Sequence, residues 1–264
     1  MIDLHSHILP GVDDGAPDIE TSLAMARMAV ADGIEVMACT PHFMPGLYDN
    51  ESLDIRHRIS QLNQRLYDEG IDLSLVEGCD AHIRPDFVDC LRQGRLLTLH
   101  NSRYVLFEPS HSVMPRRLDE LLFNVSMAGY VPILTHPERF KWIESNYQVF
   151  VDLVQAGVWL QITAGSLTGR FGNRAQYWAK RMLAEGLVSI LATDAHNTKS
   201  RPPLLSEAFS VAEAEVGLDE ATHLVVTRPG CILENQPVEQ TPPLLTGSSS
   251  EPKKTGLWQR LFGG

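Results

Sequence analysis

Two histidines one residue apart, His5 and His7 in LHSH, stand almost at the start of the chain, and an acid pair, Asp13 and Asp14 in VDDG, follows closely. Further along come His42 in TPH, Asp80 in EGCD, Glu108 in LFEPS, His136 and Arg139 in THPERF, and Asp194 and His196 in TDAHN. Imidazole and carboxylate without a patterned thiolate suit Zn, Mn or Fe rather than an iron–sulfur cluster or a structural zinc site. His5, His7, Asp14, His42, Asp80, Glu108, His136, Asp194 and His196 make nine N/O donors, more than one ion needs. Two or three ions sharing bridging carboxylates fit such a set. Ions about 3.5–4 Å apart activate a hydroxide between them and stabilise both oxygens of a phosphoryl or acyl displacement.

Each motif alone has an ordinary explanation. Two surface histidines look the same as an HxH pair on one side of a strand. His42 suits capping or packing, and Asp194 suits a helix cap. What the ordinary explanations leave out is position, because every one of these residues falls at or just past the C-terminal end of a strand. Strands are expected over residues 2–5, 34–39, 73–77, 103–107, 131–134, 158–162 and 188–192. Helices are expected over 18–32, 52–69, 85–93, 115–128, 146–156, 171–185, 203–216 and 219–226. Asp18 and Ser52 suit N-caps, Pro85 and Pro115 suit first turns, and glycines such as Gly33 and Gly157 suit C-terminal stops. Strict alternation implies parallel strands joined by right-handed crossovers. The chain lacks a GxGxxG or Walker-type loop after an early strand, which removes the usual reason to prefer a nucleotide-binding open sheet over a closed (β/α) barrel. In a barrel these strand ends converge on one face, where active sites are built.

The remaining composition is that of an ordinary globular protein, with 44% apolar residues in 264. The formal charge of −11 disfavours nucleic acid as the main partner, since phosphate backbones are bound by Lys/Arg clusters. Its apolar runs are far short of the roughly 20 residues of a membrane helix. Four scattered cysteines and the lack of a secretory signal lead us to expect a cytoplasmic location. The histidines outside the donor set (His57, His82, His100, His111, His223) read mostly as surface residues, with His82, two residues past Asp80, set apart. Thr163–Gly165, after the sixth strand, offers no obvious ligand and reads as backbone shaping of the pocket. Residues 1–236 read as one domain. Residues 237–264 read as a flexible Pro/Ser/Gly-rich tail whose basic-aromatic tip could dock weakly on a membrane or partner through Leu257, Trp258, Leu261 and Phe262.

Taken in order, MIDLHSH, VDDG, TPH, SRYVLFE, THPER, TDAHN and RPP resemble the polymerase-and-histidinol-phosphatase (PHP) superfamily. In detail they are similar to the manganese-dependent bacterial tyrosine-protein phosphatases of capsule and exopolysaccharide operons. The resemblance implies a distorted (β/α)7 barrel with a trinuclear centre at the C-terminal strand ends. It places His5, His7, Asp80 and Asp194 on one ion, Asp80, Glu108 and His136 on a second, and Asp14, His42 and His196 on a third. It makes Arg139 and Arg201 phosphate-binding residues and leaves open whether His42 or His196 assists as an acid. It further implies attack by a metal-bridging hydroxide on phosphotyrosine, the substrate being the Tyr-rich tail of a bacterial tyrosine kinase. One departure stands out: where this branch commonly has a bridging Glu, the chain has Asp80, one methylene shorter, and His82 is the residue that could compensate. No cysteine has an arginine six residues later, so a Cys-x5-Arg thiol mechanism is not available. Rival readings are a PHP enzyme acting on a small ester such as histidinol phosphate, and a scaffold with a weakened metal site.

Overall fold

The computed structural model describes residues 1–237, so the expected tail, Pro237 apart, lies outside the described residues. The described residues hold nine strand segments, separated by helices except within the pairs 36–43 and 74–82: β1 (Ile2–Ser6), β2 (Val36–Cys39), β3 (His42–Phe43), β4 (Ser74–Glu77), β5 (Asp80–His82), β6 (Tyr104–Glu108), β7 (Val131–Thr135), β8 (Trp159–Thr163) and β9 (Ile190–Ala192). All pairings between them are parallel, in a three-stranded sheet β1-β2-β4 and a six-stranded sheet β3-β5-β6-β7-β8-β9. Nearly continuous burial along the strands is what parallel sheets covered by helices require.

The second and third expected strands, 34–39 and 73–77, each have a short further segment, β3 and β5, beyond a break after their expected ends. The second stops at Cys39 and resumes at His42, because Pro41 has no N–H to give a ladder. The third breaks at Gly78–Cys79, where a Cβ on residue 78 would come within 2.9 Å of Thr40 Cγ2. The broken strands stay in register, with Thr40 N–H donating to Ser6 O (2.8 Å) and Asp80 N–H to Pro41 O (3.1 Å). At the far side, Asp194 N–H donates to His5 O (2.8 Å) and His7 N–H to Ala195 O (2.8 Å), tying β1 to the segment after β9.

The helices are α1 (Ile19–Ala31), α2 (Ser52–Asp68), α3 (Phe87–Arg92), α4 (Leu118–Met127), α5 (Ile143–Gln155), α6 (Ala164–Leu167), α7 (Gly172–Ala184), α8 (Ser206–Val216), α9 (Leu218–Thr222) and α10 (Arg228–Leu233). Asp18 caps α1 as expected, accepting from Thr21 N–H at 2.8 Å. Ser52 instead begins α2, after an uncapped Glu51. In α2, Ile55, Ile59, Leu62 and Leu66 repeat at helical spacing and are buried, which is why this otherwise polar stretch packs as a helix. The helix expected over 219–226 is divided: α9 passes through a π-helical turn, His223–Thr227, into α10, whose Pro229 cannot donate to the preceding turn.

One apolar cluster lies between strands and helices. A second gathers Leu4, Ala38, Val76, Leu106, Ile133 and Ile190 with Ile232 of α10. These anchored strands hold their C-terminal ends, and hence the donors, in fixed positions. Among the described residues no helix is long and apolar enough to cross a membrane.

Candidate metal centre

All nine donors meet at the C-terminal strand ends. His5 and His7 leave β1, His42 begins β3, Asp80 begins β5, Glu108 ends β6, and His136 follows β7. Asp194 and His196 follow β9, and Asp14 arrives from the loop after β1. That loop lies directly on His7: a Cβ on Gly15 would stand 2.1 Å from His7 O. Only glycine lets it fold there and aim its carboxylates inward. His136 (φ 37°) and Asp194 (φ 52°) both hold left-handed backbone, which non-glycine residues rarely adopt. Such strain concentrates at functional sites.

The side chains are oriented by partners set behind them. His5 Nδ1 donates to Gln161 Oε1 (2.8 Å), His7 Nδ1 to Asp13 Oδ2 (2.7 Å), and His196 Nδ1 to the Asp194 carbonyl (2.9 Å). In neutral imidazole each such bond leaves Nε2 as a bare acceptor, the form a metal takes. Those acceptors face other acceptors. His5 Nε2 lies 3.3 Å from His7 Nε2, 3.4 Å from Asp194 Oδ1 and 3.6 Å from Asp80 Oδ2. His196 Nε2 faces Asp14 Oδ1 at 3.5 Å. His42 Nε2 lies 3.4 Å from Asp14 Oδ1, while its Nδ1 is 3.6 Å from Asp80 Oδ2 and 3.5 Å from Glu108 Oε2.

Among the described residues, His42 Nδ1, Asp80 Oδ2 and His196 Nε2 are buried without a hydrogen-bond partner. Lone pairs crowded together out of water are costly unless a cation lies among them. The donors therefore fit divalent metal. Four groups have one donor atom each within 4.8 Å of one another: His7–Asp14–His42–His196, His5–His7–Asp80, Glu108–His111–His136 and His42–Asp80–Glu108.

Protonation shows the same crowding. Burial pushes His5 down to about 3 and His42 to about 4. His7 is pushed up to about 10, Asp13 and Asp194 outweighing its burial. Burial and then Glu108 raise Asp80 well above the usual carboxylate range. Asp194 moves the other way, because His5, Arg201, His7 and Arg139 outweigh burial.

Arg139 and Arg201 converge on one atom, each placing a guanidinium N–H 2.5 Å from Asp194 Oδ2. The Phe171 ring lies beside both, 4.5 Å from Arg139 Cζ and 5.8 Å from Arg201 Cζ. Asn197 Oδ1 accepts from the N–H groups of Lys199, Ser200 and Arg201 and folds the turn that delivers Arg201. The mouth opens at Asp14, whose side chain is 48% exposed, and at Tyr48, stacked 5.6 Å from His42.

Several residues differ from their expected places. His111, expected at the surface, lies 3.0 Å from Glu108 Oε1. His82 joins no donor group among the described residues. Asp3 joins none of these groups; it is buried and accepts from Thr193 N–H (2.9 Å) and Thr193 Oγ1 (2.5 Å), bracing the turn that holds Asp194. Asp13 and Gln161 are orienting partners outside the donor pattern of the sequence. Asp13 was visible in VDDG, but Gln161 carries no local signal. Thr163–Gly165 contributes no donor to these groups, and Gly165 leaves room for Phe171, whose Cε2 lies 3.0 Å from where a Cβ would stand.

Comparison with known proteins places this site among relatives. The chain is 37% identical over 243 residues to the tyrosine-protein phosphatase YwqE of Bacillus subtilis, covering 92% of this chain and 95% of that protein. It is 30% identical over 241 residues to the tyrosine-protein phosphatase CpsB of Streptococcus pneumoniae, covering 89% and 99%. It superposes at TM-score 0.88 and 37% identity, over 92% of this chain and 98% of the other, on a crystal structure from work on YwqE and CpsB that calls them unique metal-dependent tyrosine phosphatases. The phosphotriesterase of Mycobacterium tuberculosis, at TM-score 0.56 and 12% identity over 90% and 95% of the two chains, shares the fold alone. The family model for capsular polysaccharide synthesis proteins, CpsB/CapC, matches residues 1–234, and the chain belongs to that family.

Proposed function

We propose that the chain is a metal-dependent protein-tyrosine phosphatase of the PHP type. The observation that carries this reading is the convergence of nine imidazole and carboxylate donors beside two arginines that share one carboxylate oxygen. The names of its relatives support it. Residues 1–236 then form a distorted (β/α)7 barrel. Continuity of β2 with β3 and of β4 with β5, and the bonds from β1 to the segment after β9, support seven strands in a ring.

His5, His7, Asp80 and Asp194 would hold one ion, Asp80, Glu108 and His136 a second, and Asp14, His42 and His196 a third. The ions are Mn2+, with Fe or Zn as alternatives, and when bound they supply Lewis acidity and lower the pKa of water. The chain's own residues do the rest. Arg139 and Arg201 grip the phosphoryl oxygens beside Asp194 through planar donors suited to an anion. His5, His7 and His196 are held in the ligating tautomer by Gln161, Asp13 and the Asp194 carbonyl. A tyrosyl leaving group, pKa about 10, needs little protonation. His42 and His196 each face Asp14 Oδ1 through Nε2 and serve as ligands in this reading, so neither is assigned the proton.

The substrate in this reading is a phosphotyrosine protein, and the resemblance set out above implies the Tyr-rich tail of a bacterial tyrosine kinase. Free Cys39, Cys79, Cys90 and Cys231 support a reducing cytoplasm. The test is manganese-dependent phosphate release from a phosphotyrosine peptide, a phosphoserine peptide and histidinol phosphate in parallel. Preference for the phosphotyrosine peptide is expected. Preference for histidinol phosphate, or unchanged turnover in His136→Ala, would overturn the reading.

A further inference from the structure

The geometry points to His111 as an additional metal ligand, completing with Glu108 and His136 the ion site that the shortened Asp80 leaves under-supplied. This rests on the metal-site reading above and adds a residue to it. Asp80 is fully buried and its carboxylate is divided. Oδ1 lies 3.4 Å from the Thr135 hydroxyl, while Oδ2 stands alone among His5 Nε2 (3.6 Å), His42 Nδ1 (3.6 Å) and His136 Nε2 (3.9 Å). Oδ2 is thus the oxygen that faces the neighbouring donors, while Oδ1 is turned toward Thr135.

On the Glu108 side of that oxygen, His111 Nε2 is 3.0 Å from Glu108 Oε1, and His136 Nε2 is 3.6 Å from the same atom. One donor atom from each of the three residues lies within 4.8 Å of the others. Donors on a single first-row ion, at about 2.0–2.2 Å from it, stand up to about 4.4 Å apart, so both measured separations suit a shared ion. The imidazole is not adrift. Lys141 N–H donates to His111 O (2.8 Å), and Trp142 Nε1 donates to Ser110 O (2.9 Å). The His111 ring meets Phe140 edge-on at 5.4 Å and His136 at 4.8 Å. A surface histidine pairing casually with an acid has no such support.

The rival role is a hydrogen bond that only orients Glu108, and the two separate by experiment. Manganese is titrated into metal-free full-length protein by calorimetry, and bound ions are counted by elemental analysis after desalting. The same measurements follow for His111→Ala, His111→Gln, Asp80→Glu and the double variant Asp80→Glu/His111→Ala. Gln keeps a donor toward Glu108 but has no imidazole nitrogen. We expect His111→Ala and His111→Gln each to weaken one manganese site at least tenfold and to lose about one ion per chain on desalting. In the Asp80→Glu background, where a longer carboxylate reaches both ions, the loss from His111→Ala should shrink below threefold. Full rescue by Gln, an equal loss in both backgrounds, or unchanged affinity in His111→Ala overturns the assignment while leaving the metal centre standing. A wild-type chain that binds no manganese, zinc or iron overturns both.

Discussion

Asp13→Asn tests whether the loop after β1 prepares the metal centre. Asp13 Oδ2 accepts from His7 Nδ1 (2.7 Å) and from His42 N–H (3.0 Å), and Oδ1 accepts from Gly15 N–H (2.9 Å). Its side chain is shielded from solvent, and the charge of His7 holds its carboxyl down near 2 against burial. Asparagine has one acceptor oxygen in place of two. If that oxygen stays with His7 and His42, Gly15 N–H faces an NH2 group and one backbone hydrogen bond is lost, at about 1–3 kcal/mol. The charge behind His7 disappears as well. Removing such a partner typically weakens metal binding about 10–100-fold, or about 1.4–2.7 kcal/mol. Urea unfolding of the metal-free protein reads the first quantity, and manganese titration of the folded variant reads the second. A folded variant that binds manganese within twofold of wild type refutes the claim that Asp13 sets the His7 tautomer, whatever its urea midpoint.

Gly15→Ala should be more damaging, because its Cβ would lie 2.1 Å from His7 O and 2.4 Å from His7 Cβ, neither able to swing away. We expect a loss of about 3 kcal/mol or more in urea unfolding, and wild-type stability would show that the loop does not lie over His7. Phe171→Leu removes the ring beside Arg139 and Arg201. A cation–π contribution of about 0.5–2 kcal/mol converts to a rise of about 2–30-fold in KM for an aryl phosphate. Phe171→Trp should restore it, and an unchanged KM would remove Phe171 from phosphate binding. Chelation should abolish phosphatase activity and manganese restore it. Manganese at about 100 times its Kd should add about 2.7 kcal/mol of stability and raise Tm by about 5–10 °C. That affinity should fall as pH is lowered, since ligating imidazoles must be unprotonated.

The donors were legible in the sequence because two local signals coincide in them: a metal-ligating side chain and the end of a strand period. His42 and Asp80 could be placed this way even though their strands are broken at Pro41 and Gly78–Cys79. The first break has a local cause in Pro41, but the second depends on close packing of Gly78 against Thr40 of the neighbouring strand, and no periodicity reports that. The orienting partners were hidden for a related reason. Gln161 holds His5 across 156 positions and Thr193 holds Asp3 across 190, so only the folded topology brings them together. A glutamine inside a strand has no feature that marks it as the support of an imidazole.

Asp80 shows how local and distant information combine at this centre. The missing methylene could be read from EGCD, and the nearest histidine in the chain, His82, was the natural candidate to compensate. Residues two apart on a strand share a face, so alternation does not exclude His82; what sets it aside is that it joins none of the donor groups among the described residues. His82 lies opposite Glu108 in the β5-β6 register, whereas His111 emerges from β6 three residues past Glu108, where Lys141 N–H donates to its carbonyl and Trp142 Nε1 to that of Ser110. Compensation across a strand pair therefore follows the order β5-β6 of the sheet.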